Sequence, residues 1–274
     1  MTAERSAPIG FSPWSADEPG RPAAAAASDR PRFETPAIEP HTAHVWSFDL
    51  RADAERLARL GDLLSADERA RAGRYRFDRH RRRFIVGQGT LRRLLGGYTT
   101  LEPAEVRFAL GEKGKPSLVQ RPDVHFNLSH SSERGVIAVA REGPVGVDVE
   151  LLRDLADADD IARRFFSRRE AAAYLATPPE QRSRAFFNCW TRKEAFVKAL
   201  GEGLFVSLDR FDVSLEPGRP ARLEAIEGDA AAAREWTLSE LAPAEGYIGA
   251  LATRWRPASV RAWDLDPPPR APEP

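Results

Sequence analysis

Two short stretches hold the residues best able to do chemistry. GVDVE carries Asp148 and Glu150 two positions apart, and WTRKEAFVK carries Lys193, Glu194 and Lys198. On a strand, side chains at i and i+2 share a face, so the two carboxylates point together while Val147 and Val149 point to the opposite side. Carboxylates this close repel each other unless a proton or a cation lies between them. With Glu194 they form a hard oxygen donor set suited to Mg²⁺, with Mn²⁺ as an alternative. For the Asp-x-Glu triplet alone, a solvated strand face is the plain alternative.

The second stretch reads as the end of a helix. Thr177 is a candidate N-cap, Pro178 fits the first helical position, Glu180 completes a capping box, and Gly201 is a good stop. With Trp190 set at zero, Phe186, Phe187, Val197 and Leu200 fall between roughly −80 and +60 degrees. Lys193 falls near roughly −60 degrees, Glu194 near roughly +40, and Lys198 at the edge of that arc. Unpaired buried charge costs several kcal/mol, so two charges on an apolar face need partners. Either they form an internal ion pair or reach an edge, or the face meets a polar cleft in which Glu194 holds a cation and the lysines meet an anion. Glu170 is equally open. It ends Ser167-Arg-Arg-Glu170, a capping box, and it could also be a fourth acidic group in the cleft.

The rest of the chain bounds these readings. It has 274 residues, with 41 basic and 41 acidic side chains. No overall field favours a nucleic-acid or membrane partner. The single cysteine, Cys189, excludes an internal disulfide and a thiolate zinc cluster, and its aromatic neighbours make it a core residue. Only Lys113, Lys115, Lys193 and Lys198 are lysine among the basic residues, and all lie in GEKGKP and WTRKEAFVK. That bias fits sites where a point charge is wanted rather than a planar fork. No apolar run approaches a membrane span and no signal-peptide core is visible, so a cytoplasmic protein is expected.

Residues 1–42 read as a Pro/Ala-rich flexible tail, and 266–274 as a Pro-rich one. Between them, 43–141 form an N-terminal half and 142–265 a C-terminal half. Strand patterns appear in HVWSFDL, EVRFAL, GVIAVA and VGVDVEL, the last two joined by REGP as a hairpin. VHFNLSH reads as a strand running into a polar loop. Ser65 with Glu68 marks a capping box ahead of an arginine-rich helical region. Strands and helices mix in both halves, which gives an α+β class.

GVDVE, FFSRRE and WTRKEAFVKALGEGL together resemble the 4′-phosphopantetheinyl transferases of the Sfp type. GKP at 114–116 and FNLSHS at 126–131 resemble that family's upstream motifs, in the right order. The resemblance spans about 65 to 210. It implies two similar α/β halves around a pseudo-twofold axis, in a single-chain, monomeric form. It implies transfer of the phosphopantetheine arm of coenzyme A to a serine of an apo acyl or peptidyl carrier protein, leaving adenosine 3′,5′-bisphosphate. Asp148, Glu150 and Glu194 match its Mg²⁺ ligands, and Glu194 is also a candidate base. Lys198 matches a lysine near the pyrophosphate, and Lys193 the lysine preceding the metal-ligand glutamate. Arg83, Lys115, Ser129 and His130 match positions that hold the nucleotide and its 3′-phosphate, and Arg71 joins them on a looser alignment. Glu68 departs from the pattern, standing where some relatives carry a basic residue. Outside the family, a metal-dependent nuclease could use the same acidic cluster, and an RNA-binding module could be built on the ten arginines between 69 and 93.

Overall fold

The computed structural model describes residues 9–10, 12–13, 35–201 and 206–266. Most of the two expected tails therefore lies outside the described residues. Two short strands, β1 (Ile9–Gly10) and β2 (Ser12–Pro13), come first. One series of elements then runs twice. The first pass is β3 (Thr42–Asp49), α1 (Ala54–Asp62), α2 (Ala66–Gly73), α3 (Asp78–Thr99), β4 (Phe108–Leu110), β5 (Pro116–Leu118), β6 (His125–Ser131) and β7 (Arg134–Ala140). The second is β8 (Val145–Leu151), α4 (Ala158–Phe165), α5 (Arg168–Ala176), α6 (Pro179–Leu200), β9 (Phe211–Val213), β10 (Leu223–Ile226), α7 (Ala230–Ala233), β11 (Thr237–Ala242) and β12 (Tyr247–Thr253). The last described strand is β13 (Ser259–Asp264).

The pairing repeats as well. One sheet runs β2-β13-β3-β7-β6 and the other β1-β11-β12-β8, so β3-β7-β6 in the first half corresponds to β8-β12-β11 in the second. Both long helices have 22 residues and end on a left-handed residue, Thr100 and Gly201. The mixed α+β fold with two similar halves is as expected. The REGP hairpin is not: β7 already pairs with β3 on one edge and β6 on the other, so the chain must leave that sheet. It starts the second sheet with β8, which pairs with β12.

Strand periodicity then builds the cores. Along β7, Val136, Ala138 and Ala140 face β8 residues Val145, Val147 and Val149, joining the two sheets. The alternate residues Ile137 and Val139 face α3 through Leu91, Leu94 and Leu95. Across the molecule, Ile248, Ala250 and Ala252 of β12 meet Phe186, Phe196 and Cys189 of α6. Each central strand is thus buried on both faces, between a helix layer and the opposite sheet. Burial pushes the Cys189 thiol well up, in keeping with a core residue rather than a nucleophile.

Both capping boxes form, Ser65 with Glu68 and Ser167 with Glu170. The box at Thr177 does not. Its hydroxyl donates to Ala173 O of α5 at 2.9 Å, and α6 starts after Pro178 without a side-chain cap. The glycine of GVDVE has a packing reason. A Cβ on Gly146 would lie 2.1 Å from Ala195 O and 2.4 Å from Ala199 N, so its absence lets α6 rest directly on β8.

A buried polar cluster supports the first half. Trp46 Nε1 donates to Tyr98 Oη at 2.7 Å, and that hydroxyl is hydrogen-bonded to His44 Nδ1, also at 2.7 Å. Burial, with Arg261 adding to it, lowers the His44 pKa to about 4. The unfolded imidazole titrates near its ordinary value, so between the two values the unfolded chain binds the extra proton. Stability is therefore full above the ordinary value and declines as pH falls. Urea unfolding should show a loss of about 2 kcal/mol from this group between pH 7 and pH 5. A His44→Gln variant should lose correspondingly less over the same step; an equal loss would contradict the assignment.

Candidate active site

β6 and β8 are edge strands of different sheets, and side chains of β6 join them. Asn127 Oδ1 accepts from Val147 N at 2.8 Å, and Ser129 Oγ donates to Asp148 Oδ1 at 2.8 Å. Ser131 Oγ donates to Glu150 Oε2 at 2.5 Å and accepts from Leu151 N at 3.2 Å. Positions 127, 129 and 131 share one face of a strand. The polar end of FNLSHS is therefore not a loop but the continuation of β6, where hydroxyls and an amide stand in for a backbone ladder.

Helix α6 completes the cluster. Lys198 Nζ donates to Asp148 Oδ1 at 2.6 Å and to Ser129 Oγ at 3.0 Å. Asp148 is buried, and its Oδ2 has no hydrogen-bond partner among the described residues. An unsatisfied buried carboxylate oxygen is costly, and it marks where a cation or a ligand group belongs. Glu194, one turn before Lys198, is half-buried. Burial first, then the Asp148 and Glu150 charges, push its carboxyl up, against the pull of Lys198. Burial likewise raises Glu150, helped by Asp148 and opposed by the Ser131 hydrogen bond and by Arg153.

These residues fit a divalent cation by chemistry: hard oxygens, one of them unpaired, on mutually repelling acids. As placed, no three His, Cys, Asp or Glu side chains among the described residues are grouped closely enough to hold a metal ion. Asp148 Oδ1 is held by Lys198 and Ser129, Glu150 is drawn to Ser131, and like charge opposes closer approach. The Asp148 and Glu150 charges act on Glu194, but the three carboxylates are not closed into a metal site.

Basic side chains of the first half flank β6 and the turn after it. The Arg83 guanidinium on α3 donates to the Glu133 carboxylate. His130 is exposed, yet partial burial, then the Arg83 and Lys198 charges, lower its pKa. Arg71 stacks with its guanidinium carbon 5.1 Å from the ring centroid of Phe84, the neighbour of Arg83 in sequence. Lys115 donates to Val145 O at 3.1 Å and Ala199 O at 3.0 Å, and burial lowers its pKa to about 8. As placed, its ammonium serves the C-terminal turn of α6 rather than the acidic cluster.

Lys193 corrects the expectation of a cofactor contact. Its side chain is 0% exposed, and Nζ lies 2.7 Å from Glu170 Oε2 and donates to Leu208 O and Phe211 O at 2.6 Å each. The ion pair satisfies the inward-facing lysine, and these partners all lie inside the fold. Glu170 is not in the cleft either. Its Oε2 accepts from Ser167 N at 2.8 Å and its Oε1 from Val213 N at 2.7 Å. The first half holds the same device. Arg92, fifteenth residue of α3 as Lys193 is of α6, meets Glu68 Oε2 at 2.6 Å and donates to Pro103 O and Val106 O at 2.9 Å each. Each long helix uses one buried cation to tie a capping glutamate to the loop that follows the helix. That engagement turns Glu68 into the fold.

Sequence reasoning missed Asn127, Ser131, Glu133 and Arg153. The alternation of Asn127, Ser129 and Ser131 could have shown the first two; nothing local marks the others.

Two family models cover this architecture. Residues 51–142 match the N-terminal domain of 4′-phosphopantetheinyl transferase, and residues 144–252 match the 4′-phosphopantetheinyl transferase superfamily. The 4′-phosphopantetheinyl transferase HetI of Nostoc sp. is 39% identical over 220 residues, 78% of this chain and 90% of its own. The 4′-phosphopantetheinyl transferase Sfp of Bacillus subtilis is 32% identical over 166 residues, 61% of this chain and 73% of its own. A crystal structure of Thermotoga maritima holo-[acyl-carrier-protein] synthase aligns over 40% of this chain and 61% of its own, with 25% identity and a TM-score of 0.31. The chain belongs to the 4′-phosphopantetheinyl transferase superfamily, and within it to the Sfp type.

Proposed function

We propose that this chain transfers the 4′-phosphopantetheine arm of coenzyme A to a serine hydroxyl of an apo acyl or peptidyl carrier protein, with Mg²⁺ in the acidic cleft and release of adenosine 3′,5′-bisphosphate. The observation that carries the residue assignment is the Asp148 carboxylate, one oxygen held by Lys198 and Ser129 and the other buried and unpaired. Its relatives' names support the reaction class.

In this reading the serine oxygen attacks the phosphorus attached to the pantetheine arm. A new P–O bond forms there, and the bridging P–O bond to the nucleotide breaks. Asp148, Glu150 and Glu194 would hold Mg²⁺ (or Mn²⁺), which when bound would offset the charge building on the diphosphate oxygens. Lys198, fixed by Asp148 and Ser129, presents a preorganised cation to the same oxygens. Glu194, whose carboxyl is raised by its surroundings, accepts the serine proton. In this reading Arg83, Arg71 and His130 meet the nucleotide and its 3′-phosphate, where guanidinium gives affinity more than rate.

We read the working form as a monomer in the cytoplasm; that Ser129 of the first half meets Asp148 and Lys198 of the second within one chain supports a site complete in a single copy. No helix among the described residues is long and apolar enough to cross a membrane. The balanced net charge supports a reading without a nucleic-acid or membrane partner. A thermal-shift titration tests the site. Coenzyme A should raise Tm, and more so with Mg²⁺ than with a chelator, because a ligand that binds only the folded state stabilises it. No shift under either condition would contradict the reading.

A further inference from the structure

We propose that Glu133 is a built-in competitor for Arg83, a counter-ion that yields to the 3′-phosphate and returns as the nucleotide product leaves. The proposal rests on the reading of Arg83 as a phosphate contact.

Glu133 sits in the turn between β6 and β7, directly after Ser132, whose φ is +50°. Its backbone is fixed independently of its side chain. Glu133 O accepts from Leu50 N at 2.8 Å, and its amide donates to Tyr247 Oη at 3.3 Å. The carboxylate takes the Arg83 guanidinium. The other cation close to the reacting oxygens, Lys198, is engaged by Asp148 instead. The two side chains of the Arg83–Glu133 pair are 24% and 41% exposed, so the pair is screened, weak and reachable.

A phosphate carries more charge than a carboxylate and matches the guanidinium fork, so it displaces Glu133 at a modest cost. A ligand without a 3′-phosphate has no reason to displace it. The donor and the nucleotide product share that phosphate, and a returning carboxylate weakens the hold on both. Glu133 therefore favours product release, and it tempers the preference for 3′-phosphorylated nucleotides.

Calorimetry on the full chain, with adenosine 3′,5′-bisphosphate and adenosine 5′-monophosphate as probes, tests this. Glu133→Gln keeps the turn's backbone contacts and removes the charge. It should tighten the bisphosphate by about two- to fivefold and leave the monophosphate unchanged. Arg83→Ala should weaken the bisphosphate, and adding Glu133→Gln to it should then change nothing. An unchanged or weakened bisphosphate affinity in Glu133→Gln, or equal tightening of both probes, overturns the competitor role. If Arg83→Ala binds the bisphosphate as the wild type does, the phosphate reading of Arg83 falls, and the proposal falls with it.

Discussion

Asp148→Asn should lower kcat/KM for arm transfer by about 10³-fold or more while the chain stays folded. The substitution preserves shape. The amide oxygen can still accept from Ser129 and Lys198 in the place of Oδ1. The change falls on Oδ2, the buried oxygen without a partner, which becomes an amide NH2 unable to ligate a cation. The negative charge that orients Lys198 is lost at the same time. Burial first, and then the Asp148 charge, push Glu150 and Glu194 up, so removing that charge relieves repulsion and offsets part of the loss of the partly exposed Lys198 pair, leaving the metal-free chain folded. Turnover and urea midpoint measured on the same preparation separate the effects. Near-wild-type turnover would remove Asp148 from the reacting centre, and loss of fold would make it structural.

Lys193→Met should act in the opposite way, through stability. Removing the ammonium leaves Glu170, 2% exposed and already pushed up by burial, without its counter-ion. Breaking a buried pair from one side costs about 3–5 kcal/mol, a large part of the margin of an ordinary domain. It also frees Leu208 O and Phe211 O, so the loop that follows α6 loses its anchor. The double variant Lys193→Met with Glu170→Gln should recover part of the loss, because the stranded charge is gone. Urea unfolding of both variants checks this. A folded Lys193→Met protein with weakened coenzyme A binding would restore the lysine to the cofactor.

The contrast between these two residues shows what was readable from sequence. The pointing of Asp148 and Glu150 to one face followed from strand alternation, and the 3.6-residue repeat placed Lys193, Glu194 and Lys198 on the inward side of α6. Both are local consequences of backbone geometry. Periodicity says that a side chain points inward; it does not say what it meets. Lys193 finds Glu170 on a different helix, whereas Lys198, five residues later, reaches across to Asp148 on a strand. The capping boxes at Ser65 and Ser167 were visible because both partners lie within four residues. The β7–β8 hairpin was misread because no local pattern reveals that both edges of β7 are taken by β3 and β6. The return of β13 to lie parallel beside β3, Trp263 opposite Trp46, was equally beyond local reading.

The most direct measurement is intact-protein mass spectrometry of a panel of apo carrier proteins incubated with this chain and coenzyme A, with Mg²⁺ or with a chelator. One phosphopantetheine arm should appear on the serine of at least one carrier, with Mg²⁺ present and not with the chelator. An adduct that forms equally well without a divalent ion would contradict the role given to the three carboxylates, and no adduct on any carrier would contradict the reaction itself.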